Sequence, residues 1–259
     1  MTAPPVLTSP RLAAVPGVRH AFFTRQGGVS RGVYAGLNVG RGSRDAPADV
    51  LENRRRAAAL FGRPLEALNT CYQVHSAVVV VADAPFGAGS PQGDGVATRT
   101  PDLICGALAA DCAPVLIADG EAGMVAAVHA GWRGALGGVI AAAVEAMTAL
   151  GASPARMVAA VGPCIGPASY EVGEEFRSAF VAVSSDYARF FQGGEARGKY
   201  RFDLPAFALS RLEQAGIAAC EWIGHDTYAA PALFFSNRRA LHQGEDDYGR
   251  LLSAIMLDG

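Results

Sequence analysis

Apolar and polar positions along the chain fall into two rhythms, one of helices and one of strands. RHAFFTR (19–25) reads as a strand that stops at the turn-forming GGVS. PADVLENRRRAAALFG is helical in pattern, with Asp49 as N-cap and Gly62 as the stop, and its basic run at 54–56 forms a solvated face. CYQVHSAVVVVAD is β-rich, its apolar run interrupted by Gln73, His75 and Ser76. APFGAGSPQGDG after it is a loop by its glycine and proline content. Two almost wholly apolar runs follow, APVLIAD (113–119) and GMVAAVHA (123–130), joined by GEA. WRGALGGVIAAAVEAMTALG is predicted as a helix ending at Gly151, and RMVAAVGPCIG (156–166) as a buried strand stopped by Gly-Pro. EVGEEFRSAFVAV and LPAFALSRLEQAGI read as amphipathic helices, the second closed by Gly216. CEWIG, a Tyr- and Phe-rich loop through YAAPALFFSNRR, and a terminal strand RLLSAIML complete the chain. Strands and helices are interspersed and some strands form hairpins. This predicts an α/β fold with mixed sheets, residues 1–259 forming one domain without linker or repeat.

Composition narrows the class. A hydrophobic fraction of 51% against 18% charged residues calls for a large buried core. The net charge of −2 is spread along the chain, so neither a nucleic acid nor an anionic membrane is an expected partner. Asp111, Asp119 and Glu145 break the apolar tracts short of bilayer length, and the N-terminus has no secretory pattern. Five irregularly placed cysteines, Cys71, Cys105, Cys112, Cys164 and Cys220, form no disulfide framework and fit a reducing compartment. A cytoplasmic protein is expected. GWRGALGG and GPCIGP match neither dinucleotide nor P-loop spacing.

The chemistry concentrates where the two apolar runs open. A link as short as GEA forces antiparallel pairing, so positions summing to about 241 or 242 face each other. Cys112 then lies opposite residue 129 or 130 and meets His129 at the open end of the hairpin. Facing side chains have Cβ atoms about 4.5–5.5 Å apart, which suits either a direct thiolate–imidazole pair or a bridging zinc ion. Taken alone, Cys112 reads as an ordinary buried cysteine and His129 as a hydrogen-bonded strand end. The company argues otherwise, because Asp111 precedes the cysteine and Trp132-Arg133 follows the histidine at a glycine-flanked turn. Adding His75 gives a His₂Cys set, the ligand type and number of an open zinc site with one position left for water.

The pieces HAFFTRQGGVS…GLNVG, QVHS, DGVAT, ADCAPVLIAD, VAAVHAGWRG, GPCIGPASYEVG and FFSNRR…GR, taken together and in order, resemble the YfiH/YlmD family over nearly the whole chain. Its members have been described as polyphenol oxidases (laccase-domain proteins) and as purine nucleoside phosphorylases with adenosine deaminase activity. The resemblance implies a four-layer α/β/β/α sandwich, similar to the catalytic domain of the deamidating cytotoxic necrotizing factor, and metal ligands at His75, Cys112 and His129. The chain departs from the pattern in reading AADC for TADC, in Asp226 at a cysteine-like position of HDTY, and in Asn237 where a tyrosine often stands.

Several chemistries are then open. A multicopper oxidase consumes far more imidazoles than the five in this chain, although copper would also occupy a His₂Cys site. Deamination of adenosine needs a hydroxide at C6, which a zinc site can supply. Phosphorolysis needs an anion site, for which Arg25 and Arg133 are candidates. Gln73, Asn38 and Phe235 are candidate substrate contacts, and Phe22, Phe23, Tyr34 and Tyr170 could stack on a base. Alternatively Cys112 is a nucleophile with His129 as base and Asp111 or Gln73 orienting it, in an amidohydrolase acting on a cell-wall precursor or other amide. A structural zinc site would recruit Cys71 or Cys105 as a fourth ligand. The expected function is a zinc-dependent phosphorylase of adenosine, inosine and methylthioadenosine with adenosine deaminase activity, monomeric or homodimeric, whose partners are purine nucleosides and phosphate.

Overall fold

Runs that are apolar at successive positions, not alternate ones, mark strands covered on both faces. The computed structural model describes residues 3–87 and 89–259, and its three longest strands are buried at each position: β7 (Ala113–Asp119), β8 (Met124–Ala130) and β14 (Leu251–Leu257). Strand β14 is central to a five-stranded sheet with β1 (Val6–Leu7), β2 (Val18–Phe23), β6 (Ile104–Ala109) and β3 (Leu68–Thr70), in the order β1-β2-β14-β6-β3. Strands β7 and β8 are central to a six-stranded sheet, β13-β9-β7-β8-β5-β4, with β4 (Val79–Val81), β5 (Gly95–Thr98), β9 (Val158–Val161) and β13 (Ala219–Trp222). Both sheets are mixed: β3 runs parallel to β6, β4 to β5 and β13 to β9, and the other pairs are antiparallel. A small third sheet joins β10 (Glu171–Gly173), β12 (Lys199–Phe202) and β11 (Phe191–Gly193).

The period of two along each strand sends successive residues into different layers. Phe22, Cys105, Leu116, Val125, Ala127 and Ile255 pack between the two large sheets. Their neighbours Phe23, Ile104, Ala254 and Met256 face outward, onto Ala57 and Ala58 of helix α2 (Pro47–Leu60) and onto Phe61. On the other side Val115, Ile117, Ala126 and Val128 pack on Val139, Ile140, Ala143 and Met147 of α4 (Val139–Ala149), with Phe180 of α5 (Glu174–Val183) and Phe207 of α6 (Leu204–Gln214). The layers are therefore α/β/β/α. Three further helices are short: α1 (Pro10–Ala13), α3 (Trp132–Gly137) and α7 (Asn237–Gln243).

Several local expectations are corrected. The α2 N-cap is Ala46, without a side-chain bond; Pro47 opens the helix and Asp49 lies in its first turn, near the positive end of the dipole. Its basic run is a solvated face only in part: Arg55 and Arg56 pair with Glu52 at the surface, and Arg54 does not. Arg54 is 1% exposed, because it shares the inward stripe of Val50, Asn53, Ala57 and Ala58. The β-rich stretch at 71–83 forms a strand only at Val79–Val81. The helix predicted to end at Gly151 is two, broken at Gly138 with φ +97°. EVG is a strand, and its helix begins at Glu174. The hairpin register is Ala113↔Ala130 to Asp119↔Met124, one residue from the expected one. The turn takes in Gly123 (φ +59°), and the Asp119 carboxylate accepts the N–H groups of Glu121 and Ala122 at 3.1 Å each. Cys112 therefore lies just outside the ladder, level with Gly131.

Candidate active site

His129 pairs with Pro114 in the β7–β8 ladder, so Cys112, two residues before Pro114, is its diagonal neighbour on the same face. His75 comes from the connection between β3 and β4. Cys112 comes from the connection between β6 and β7. Both connections pass from the five-stranded to the six-stranded sheet. The ligand atoms of His75, Cys112 and His129 all lie within 4.8 Å of one another, and the two imidazole centroids are 4.9 Å apart. Gly131 makes this approach possible: a Cβ there would stand 2.7 Å from His75 Nδ1 and 2.8 Å from Cys112 Sγ. Two imidazoles and a thiol at this spacing fit zinc or copper, with an open fourth position.

The group is held by a residue that sequence reasoning missed, Asp94. It is 1% exposed. Its Oδ1 accepts from His75 N (3.0 Å) and lies 2.9 Å from His129 Nδ1. Its Oδ2 accepts from Val74 N (3.2 Å), Ser76 N (2.6 Å) and Ser76 Oγ (2.7 Å), and its backbone carbonyl accepts from His129 N at 2.7 Å. This clamp explains why 74–76 leaves the strand conformation and why His75 sits at φ +61°. It also fixes the proton on His129 Nδ1, freeing Nε2 to bind. Burial would push the Asp94 carboxyl up, but the bonds from His129 and Ser76 hold it down at about 2. Burial would likewise lower His129, yet Cys112 and Asp94 raise it to about 9. His75 is lowered by burial and by the neighbouring His129. The signal for Asp94 was the pairing Gly95↔Val128, which sets residue 94 beside 129; composition alone had made it part of a loop.

The other sequence candidates divide. Asp111 (φ +87°) does not touch His129; its buried carboxylate accepts from Thr227 Oγ1 (2.6 Å), Ser236 Oγ (2.9 Å) and Arg238 N (2.6 Å), which anchors the turn that carries Cys112. Gln73 exchanges both amide bonds with the Leu108 backbone, at 2.7 and 2.8 Å, beside the site and without orienting a histidine. Asn38 is wholly buried and bonds Ser43, Asp45, Gly40 N and Arg250 N, so it shapes a cleft wall. Arg25 lies elsewhere: its guanidinium donates to the carbonyls of Ala35 and Pro231 and rests 4.3 Å from the centroid of the buried Phe235. Phe22 and Phe23 are core, and Tyr34 donates to Asp247 at 2.7 Å. Asp226 accepts from Ser169 Oγ at 2.6 Å and ties down the 166–169 turn. Cys105 is wholly buried between the sheets and the Cys71 thiol turns to the Gly95 carbonyl at 3.5 Å, so neither joins the ligands. The remaining histidines, His20, His225 and His242, pack against Ser9, Phe234 and Tyr228 respectively.

Two clefts meet at the centre and share His75, Ala110, Cys112 and Asn237 as walls. One, of about 330 Å³, runs past Gln73 and His129 to Arg41, Arg54, Tyr248 and Arg250. The other, of about 310 Å³, is walled by Trp132, Tyr170, Arg133 and Arg238. Arg133 is exposed and makes no ion pair among the described residues; its guanidinium rests 4.8 Å from the Trp132 ring centroid.

A family model described as multi-copper polyphenol oxidoreductase laccase matches residues 19–258. The chain is 42% identical to the purine nucleoside phosphorylase of Deinococcus radiodurans, covering 99% of this chain and 95% of that one. It is 36% identical to purine nucleoside phosphorylase YfiH of Escherichia coli (strain K12), covering 93% and 94%. Among solved structures, a protein of Neisseria meningitidis matches with a TM-score of 0.87 at 34% identity, covering 100% of both chains. YlmD from Geobacillus stearothermophilus matches with a TM-score of 0.84 at 30% identity, covering 97% and 94%. No helix among the described residues is long and apolar enough to cross a membrane.

Proposed function

The chain belongs to the multi-copper polyphenol oxidoreductase laccase family, and from that premise we propose that it is a zinc-dependent purine nucleoside phosphorylase with adenosine deaminase activity. The observation that carries this is the His₂Cys group, open at the junction of two clefts, in a chain whose relatives are named purine nucleoside phosphorylases. Only two of the five histidines come together here, a donor set for one metal and not for a multicopper cluster. Zinc held by His75, Cys112 and His129 would act as a Lewis acid and lower the pKa of water toward 7.

The remaining roles belong to side chains of this chain. Asp94 keeps His129 in the tautomer that presents Nε2. Asp111 holds the Cys112 turn through its three bonds. Trp132 and Tyr170 offer the second cleft flat apolar walls for a purine, and Arg133 brings a positive charge to the leaving base. Adenosine and inosine are the proposed substrates, with methylthioadenosine.

A second reading has an observation of its own. The imidazole of His129 lies beside the Cys112 thiol, their ligand atoms within 4.8 Å, and is backed by Asp94, an arrangement that activates a thiol for attack on an amide. One experiment separates the two: chromatography of products from adenosine plus phosphate, wild type beside Cys112→Ala. Adenine or inosine from wild type alone supports purine chemistry at this cysteine. No turnover of adenosine by either protein favours the amidohydrolase.

A further inference from the structure

The first cleft ends in a charge that has no counter-charge among the described residues. Arg54 is 1% exposed, and its bonds go to neutral groups, Nη1 to the Val39 carbonyl (3.2 Å) and Nη2 to Thr70 Oγ1 (3.0 Å). Its Nε–H finds no acceptor, and no carboxylate lies within ion-pair distance among the described residues. A buried guanidinium is normally paired, because removing the charge from water is costly without an anion to replace the solvent. Burial, and then the charge of another cation, Arg41, pull the Arg54 pKa down to about 9. Arg41 is exposed on the Gly40–Gly42 loop and makes no ion pair among the described residues. Both arginines line the cleft that reaches His75, Cys112 and His129, together with the hydroxyl-bearing Thr70 and Ser90. Both also line an adjoining cavity whose one carboxylate is Glu66. Arg250 does not join them, since it is neutralised by Asp247 at 2.8 Å.

We propose that Arg54 and Arg41 form the binding site for inorganic phosphate, the co-substrate of phosphorolysis, at the far end of the first cleft from Trp132. The assignment deepens the phosphorylase reading and rests on it for the reaction. A pair of guanidinium groups lining one cleft with no carboxylate partner among the described residues matches the charge and oxygens of a tetrahedral dianion. From there one phosphate oxygen bonds to C1′ of the nucleoside as the C1′–N9 bond breaks. The bonding pair leaves on the purine, the proton of HPO₄²⁻ ends on the base, and ribose 1-phosphate is the second product.

The test uses inorganic phosphate itself, with Arg41→Gln and Arg54→Lys beside wild type. In thermal melting without nucleoside, phosphate raises the wild-type Tm above that in chloride of equal ionic strength, and both variants lose that rise. In initial-rate phosphorolysis, Arg41→Gln raises KM for phosphate about tenfold or more, with KM for adenosine within about twofold. Arg41 is exposed and its side chain makes no hydrogen bond or ion pair among the described residues, so it carries the test if Arg54→Lys does not fold. A wild-type Tm indifferent to phosphate, or raised only by adenosine 5′-monophosphate, overturns the assignment. So does a phosphate response undiminished in Arg41→Gln. Phosphate binding that depends on Arg41 in a protein that never consumes adenosine sinks the phosphorylase reading and leaves the anion site standing.

Discussion

Replacing Asp94 by asparagine is the most informative perturbation of the centre, because it keeps the volume and removes only charge and acceptors. Two donors meet Oδ1, the His75 N–H and His129 Nδ1–H, and three meet Oδ2. An amide nitrogen on the Oδ2 side would confront the N–H groups of Val74 and Ser76. Turned to the Oδ1 side it orphans the N–H of His75, at about 1–3 kcal/mol of stability. In that second pose His129 recovers its bond only by moving its proton to Nε2, the nitrogen a metal needs. The expected result is a folded protein whose zinc affinity falls about 10- to 100-fold, roughly 1.4–2.7 kcal/mol. A zinc competition titration against a chromophoric chelator reads the affinity, and denaturant unfolding of the metal-free protein reads the stability. If the variant loses stability yet binds zinc as wild type does, Asp94 is only a brace for the loop and the tautomer argument fails.

Gly131→Ala places a methyl between His75 and Cys112 at a backbone conformation alanine accepts (φ −62°, ψ 161°), so zinc affinity drops tenfold or more while far-UV circular dichroism is unchanged; equal affinity would mean the ligands separate freely. Leu116→Ala opens a void between the two sheets and lowers unfolding free energy by about 2–5 kcal/mol in urea titration. Burial opposes ionisation of Asp119, but bonds from Ser153, Ala122 and Arg156 win and hold its carboxyl below the ordinary 3.8. Its stabilisation is therefore complete above that value and lost as pH falls through the depressed one. Asp119→Asn should flatten the acid limb of the stability–pH curve, and an unchanged limb counts against this role.

How much of this was legible in the sequence depends on range. The strand Ala113–Asp119 was read to the residue, because apolar runs ended by Gly and Asp are local signals. His75, Cys112 and His129 were reached by combining hairpin logic with ligand chemistry and a family resemblance, and the structure brings the three together. The register slipped by one because a turn closed by a carboxylate on its own N–H groups holds more residues than its glycines suggest. Asp94 was missed because its importance comes from what loops back onto it, five donors from two other segments. Arg54 looked like a surface residue since arginine at helical spacing usually is one; only the packing of α2 on its sheet turns it inward.

Two of the three candidate ligands sit where the chain steps from one large sheet to the other. An ion held there would act as a rivet through the two halves of the sandwich. Its binding energy would then be drawn on each time that end opens: at a free concentration a hundredfold above Kd, opening that releases the ion costs about 2.7 kcal/mol more. Loss of the ion and fraying of the sheets would be one event seen two ways. Amide protons of β6, β7 and β8 near the centre should therefore exchange faster after chelation, while those at the Asp119 end keep their pace.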